Sequence, residues 1–154
     1  MNNYVYVAHN NAGQTVSTAI TILQLKAGAN TPLEILRASV AQTGLSASAM
    51  QAVNLLRKTA AATVTAFTAL KNNPNDPAAG AVGGTAATGY TATVEGTDGD
   101  ILVAGAFNVL NGWEWLPTPE ERITVDAAGI LALKFPAAPT SAAWKAAIWF
   151  RELR

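Results

Sequence analysis

The chain has 154 residues, half of them apolar, and its ten lysines and arginines balance ten aspartates and glutamates. That length fits one domain, residues 1–154, able to bury roughly 70% of its unfolded surface, while zero formal charge gives no basic field for binding nucleic acid directly. No cysteine is present, which excludes a disulfide framework, a thiolate metal site and a thiol nucleophile.

Only 13% of residues are charged, about half the usual share, and a surface so thin in charge suits being covered by neighbours. Met1-Asn-Asn-Tyr-Val-Tyr-Val-Ala-His9 lacks a basic region followed by an apolar one, and no apolar run reaches bilayer length. The expectation is a soluble chain without a secretion signal.

In chain order, Tyr4-Val-Tyr-Val7 favours β structure and is expected to be a first strand, within residues 1–12 that form an N-terminal arm or edge strand. His9-Asn-Asn-Ala-Gly13 reads as a turn. Ala19 to Lys26 predicts a second strand that stops at Gly28-Ala-Asn-Thr-Pro32. Leu33 to Gln42 predicts a third, with Leu36, Ala38 and Val40 inward and Arg37 and Ser39 outward.

Leu45 to Lys58 fits either an amphipathic helix or a strand, and β-rich neighbours favour a strand from about Ala49 to Thr59. Thr63 to Leu70 alternates like a strand. Asn72-Asn-Pro-Asn-Asp-Pro77 followed by Gly80, Gly83 and Gly84 predicts a long exposed loop over residues 71–88. Tyr90 to Glu95 gives another strand. Ile101 to Leu110 is almost continuously apolar, as for a strand covered on both faces.

Asn111-Gly112 turns the chain into Trp113-Glu-Trp-Leu116, and Pro117-Thr-Pro119 leads to Glu121–Phe135, whose two alternating halves about Gly129 read as a hairpin. In Ala142–Leu153, Trp144, Ile148 and Phe150 share one face; Lys145, Trp149 and Arg151 share the other, which leaves Trp149 needing cover. Nine or ten short strands predict an all-β fold, an antiparallel β-sandwich of jelly-roll type.

Residues suited to chemistry are scattered. His9 has no neighbouring carboxylate cluster, and zinc held by carboxylates alone is rare, so it reads as an exposed turn residue. No serine sits in a Gly-x-Ser-x-Gly setting. Glu114, Glu120 and Glu121 beside Trp113 and Trp115 permit a glycosidase pair with a stacking platform, but solvated loop charges and core tryptophans are the commoner meaning. Asp98-Gly-Asp100 lacks a calcium loop and reads as a surface turn, and Gly80–Gly84 lacks the lysine of a phosphate loop and reads as flexible. The expectation is no enzyme, no cofactor and no metal.

Three segments together resemble a group of small β-sandwich virion proteins of tailed bacteriophages that act as capsid decoration or cement subunits. They are Asn30-Thr-Pro-Leu-Glu-Ile-Leu-Arg37, Val53-Asn-Leu-Leu-Arg-Lys-Thr59, and Thr97-Asp-Gly-Asp-Ile-Leu102 continuing through Pro119-Glu-Glu-Arg-Ile-Thr-Val-Asp-Ala-Ala-Gly129 to Trp149-Phe-Arg-Glu-Leu153. The segment after Thr59 and the loop from Asn72 to Gly84 fall outside the similarity. The resemblance implies a jelly roll on the outer surface of an icosahedral head, with the major capsid protein as partner, homotrimers over threefold positions, and no direct nucleic-acid or membrane contact.

The alternative is a tail- or fibre-associated module binding host glycans through Trp113, Trp115 and the loop from Asn72 to Asp76. For the interface, the first expectation is Tyr4, Val5, Tyr6 and Val7 with Trp149, because edge strands and exposed aromatics seek partners. Asn72, Asn73 and Asn75 come second.

Overall fold

In a computed structural model, residues 4–10 and 13–153 are described. Parts of the expected arm and of the turn after His9, residues 1–3 and 11–12, lie outside the described residues. Thirteen strands are present, more than the nine or ten expected, and no α-helix occurs among the described residues. They are β1 (Val5–His9), β2 (Gln14–Val16), β3 (Ile20–Lys26), β4 (Leu33–Thr43), β5 (Met50–Ala60), β6 (Thr63–Ala66), β7 (Leu70–Lys71), β8 (Gly89–Val94), β9 (Thr97–Asn108), β10 (Trp113–Trp115), β11 (Thr124–Val125), β12 (Ile130–Phe135) and β13 (Ala142–Glu152). The ambiguous segment is therefore a strand, β5.

Two antiparallel sheets pack face to face. Sheet A runs β10-β4-β13-β1-β7, with β11 also beside β4 and β2 also beside β13; sheet B runs β6-β8-β3-β12-β5-β9. The pairs nest inward from the ends of the chain: β1 with β13, β3 with β12, β4 with β10, and β5 with β9. A long hairpin rolled up on itself gives this order, which is the jelly roll. Residues 63–94 are inserted at the hairpin's tip; they add β6 and β8 to one edge of sheet B and β7 to one edge of sheet A.

The core lies between the sheets. Trp144 of sheet A meets Phe135 and Phe107 of sheet B edge to face, at centroid distances of 4.9 and 6.1 Å, and Tyr6 stacks on Phe150 at 5.7 Å. Each such aromatic removes a large apolar area from water and fixes how the sheets meet. Along β13 every second residue is buried, with Trp144, Ile148 and Phe150 inward as the sequence pattern requires.

Several expectations change. The alternating halves of Glu121–Phe135 are not a hairpin: β11 pairs with β4 in sheet A, whereas β12 pairs with β3 and β5 in sheet B. Alternation reports which side is buried, and two strands facing one core from opposite sheets alternate just as hairpin partners do. The turn between them is a corner, with Ala128 at φ 61° and the Gly129 N–H donating to Asp126 O at 2.8 Å.

The strand expected over Thr63 to Leu70 breaks at Phe67 into β6 and β7, which belong to different sheets. In β4 a bulge opposite Trp149 and Phe150 leaves Leu36 without a cross-strand partner; Leu33 and Ile35 precede it inward, Ala38 and Val40 follow. Leu36 is only half-buried for that reason.

Polar side chains hold the irregular parts. Asn10, buried, donates to Trp144 O at 2.8 Å and accepts from the Ala146 N–H at 2.7 Å, extending the ladder where β1 ends. Gln24, also buried, donates to Ala87 O and accepts from the Ala62 N–H, which ties the connection after β5 to sheet B. At Gly96 the chain passes so close that a Cβ would lie 2.1 Å from Ala60 O, so only glycine fits.

Candidate interaction surface

The residues singled out as interface separate into three environments. Tyr6 is wholly buried, and its hydroxyl donates to Pro77 O at 3.2 Å, so it belongs to the core and not to a contact surface. Tyr4 is partly buried and packs on the same core. Val5 and Val7 are half-buried, and β1 is not an edge there, because β7 pairs with Tyr6 and Val7 and the Asn72 N–H donates to Val5 O. The run was β-favouring and correctly read as a strand, but its alternate tyrosine is what the core takes.

Trp149 lies on the outer face of sheet A, half-buried, and the Arg37 guanidinium stands 4.5 Å over its ring. Arg37 in turn pairs with Glu114 at 2.8 Å. The cover that Trp149 needed thus comes in part from its own chain. Asn72, Asn73 and Asn75 are exposed, and Asn73 Oδ1 accepts from the Asn75 N–H at 3.1 Å in a local turn.

The loop over residues 71–88 is exposed in its first half and only in part beyond it, where Val82, Gly83, Thr85 and Ala86 stay exposed. Ala81, Ala87 and Thr88 are buried, and the buried Glu152 carboxylate accepts from the Gly80 and Ala81 N–H groups. The start of the Gly80–Gly84 segment is thus tied to the end of β13. His9 is part of β1, with its ring 5.0 Å from Phe67, and is half-buried where an exposed turn was expected. Trp113 and Trp115 both pack against the core, and Glu114 between them faces outward, so the tryptophans form no exposed stacking platform beside it.

Charged groups are largely matched to each other. Lys58, buried, lies 2.6 Å from Asp98 and 3.1 Å from Glu95, and Lys134 lies 2.6 Å from Asp98. Asp98 is therefore part of an ion-pair network at the start of β9 rather than a free surface turn. Burial alone raises the Glu95 carboxyl, but hydrogen bonds from the Thr21 N–H and hydroxyl and from Lys58 outweigh it and hold the group below the usual carboxylate range. Asp98 is lowered in the same way, its burial outweighed by Lys134 and Lys58; Lys134 is raised, its burial outweighed by Asp98 and Glu95. A second cluster joins Glu34 to Arg151 at 2.5 Å and to Arg122 at 3.4 Å. Among the described residues no group of three histidines or carboxylates is placed to hold a metal ion, and no helix is long and apolar enough to cross a membrane.

The four sheet edges differ sharply. Sheet A ends on one side in β10 and β11, of three and two residues, and on the other in β2 and β7, of three and two. One edge of sheet B is β6, with four residues. The fourth edge is β9, with twelve residues and β5 as its strand partner. Short edge strands are a common protection against unwanted pairing, and β9 lacks it.

Expected to be covered on both faces, β9 is instead half exposed: Ile101 retains 56% of its accessible surface, and Phe107 is the one residue of the strand that is fully tucked in. The mistake lies in the small residues. Ala104, Gly105 and Ala106 are apolar without the bulk a doubly covered strand needs, and that composition was the available signal. Their inner side is closed by Trp113, whose indole sits where a Gly105 Cβ would fall, 2.6 Å from Nε1. Nearby in the ladder, Met50 is 70% exposed, and Leu110, just beyond the strand, 48%.

The outer face of sheet A carries two adjoining hollows of about 200 and about 340 Å³ that share Ser39 and Ala41; His9 and Lys145 border one, Arg37 and Glu114 the other. No known family, curated protein or solved structure matches the chain.

Proposed function

We propose that this chain is a structural subunit of a virion, a cement protein that sits on the outside of the icosahedral head, bridges major capsid protein subunits and stabilises the shell. The observation that carries the reading is the distribution of polarity. Two ion-pair clusters and the Arg37–Glu114 pair match charges within the chain, while Met50, Val94, Ile101, Leu110 and Leu116 are left in solvent. Such a surface gains most from being covered by other proteins.

The jelly-roll order and the segments quoted above support the same reading, and the resemblance implies trimers over threefold positions. Contacts repeated over many subunits stabilise the shell by mass action, with no cofactor or turnover required. The test is to quantify the chain in heads and tails separated from purified virions, and to measure its binding to expanded capsids. Saturable binding at head-wide copy number is expected; absence from heads overturns the proposal.

A tail- or fibre-associated glycan-binding module has one observation in its favour, the paired hollows over Ser39 and Ala41 with polar groups at their rims. Binding on a glycan array that is lost in Ser39→Trp, together with a location in tails, supports it instead.

A further inference from the structure

We infer that the paired hollows on the outer face of sheet A bind an acidic sugar, a pyranose carrying one carboxylate, with Lys145 holding the carboxylate and Ser39 and Glu114 the hydroxyls. The inference rests on the glycan reading of these hollows and names the ligand for it; it does not depend on where in a virion the chain sits.

The basin follows from strand register. Glu114, Ser39, Ala147 and His9 lie in one row across β10, β4, β13 and β1, and Ala41 and Lys145 form the next row. Their neighbours along the strands, Ala38, Val40, Ala146, Ile148 and Ala8, are buried, so these rows face outward. Ser39, Ala41 and Ala147, all small, thus occupy the middle of a sheet face whose surrounding positions carry long side chains. Lys145 stands at one end, Arg37 and Trp149 at the other, and His9 and Glu114 at the sides. Gly112 keeps the floor open beside Ala41, since a Cβ there would stand 3.7 Å from the Ala41 methyl. A floor bounded on four sides suits a compact ligand, whereas an extended peptide needs a trough open at both ends. At about 200 and about 340 Å³ the two hollows together fall within the range of small-molecule sites, roughly 300–1,000 Å³.

Charge narrows the choice of ligand. Glu114 is matched by Arg37 at 2.8 Å, but Lys145, exposed, has no carboxylate partner among the described residues. The His9 imidazole and the Ser39 hydroxyl make no hydrogen bond to another described residue. One unmatched cation takes one anionic group. The Glu114 carboxylate across the basin repels a polyanion and accepts from a hydroxyl, which disfavours strings of phosphates or carboxylates. A rigid ring with one carboxylate and several hydroxyls satisfies Lys145, Ser39 and Glu114 at once. With one charge and an open basin the site is weak, dissociating in about the millimolar range, and copies repeated on one particle strengthen it by avidity.

The test titrates the nitrogen-15-labelled chain with methyl glucuronide and a methyl sialoside, with neutral methyl glucoside, and with acetate, each to about 20 mM. Saturable shifts at the Ser39, Ala41, Lys145 and Ala147 amides are expected with a carboxylated sugar, at about tenfold lower concentration than with methyl glucoside, and no saturation with acetate. Lys145→Gln, with an unchanged melting temperature, should remove the tenfold preference, and Ser39→Trp should remove binding of every sugar. Equal response to acidic and neutral sugars, or a preference that survives Lys145→Gln, overturns the inference and leaves the glycan reading standing. No response to any sugar overturns both. Acetate or an acidic peptide binding as tightly as the acidic sugars assigns the basin to a bare carboxylate and overturns the inference as well.

Discussion

Two of the longest strands, β9 and β13, have twelve and eleven residues and opposite fates. β13 sits inside sheet A between β4 and β1 and buries every second residue, including Trp144, Ile148 and Phe150. β9 has a neighbour on one side and buries Phe107 alone. What separates them is bulk in register: β13 places large side chains at alternate positions where they can fill the space between sheets, while β9 places Gly105 between Val103 and Phe107 and turns Ile101 outward. Apolar content tells how much surface wants cover, and the spacing of large side chains tells whether this fold can supply it.

The strongest way to break the comparison is truncation. Trp144→Ala should cost about 3–5 kcal/mol, since it empties the joint between Phe135 and Phe107, whereas Ile101→Ala should stay within about 0.5 kcal/mol in monomer stability. Chemical denaturation of both variants checks it, and equal losses would remove the distinction. Next, Gly105→Val drives a side chain into the Trp113 indole and should cost about 1–3 kcal/mol, with a change in tryptophan emission.

Acid should then act on the network at the start of β9. Glu95 and Asp98 titrate below their ordinary values of 4.5 and 3.8 in the folded chain, so their stabilisation is complete above those values and is lost as pH falls through the folded ones. Lys134 is raised above 10.5, so its share persists below that value and is lost on further alkalinisation. Asp98→Asn should flatten the acid limb of a plot of melting temperature against pH; an unchanged slope would show that the network contributes nothing there. The smallest effect is expected from Arg37→Ala, about 0.5 kcal/mol with a red shift of Trp149 emission, because that contact is half in water.

Much of the fold was legible. Strand periodicity placed β3, β4, β5, β8 and β13 within a few residues, and the inward set of β13 was read correctly, because a period of two is a local property. Partnership was not legible: nothing local distinguishes the corner between β11 and β12 from a hairpin turn. The surface was read least well. Tyr6 and Val7 differ only in parity, and parity fixes the inner side only once a neighbour is known. Asn10, Gln24 and Glu152 look like ordinary polar residues until the backbone groups they satisfy are seen. The importance of β9 as an edge follows from the order of strands in sheet B, which is a property of the whole chain.

The nesting of first strand with last also constrains how the molecule is made. Val5 lies opposite Arg151, so β1 cannot find its place until β13 has been synthesised. At about 5–20 residues per second the ribosome leaves Tyr6 waiting roughly ten seconds for Phe150. During that interval β3, β4, β5 and β9 can associate in part, but sheet A lacks its middle. Maturation of the fold is therefore expected to wait for β13 and to be slow for its size, as befits a topology dominated by distant pairings.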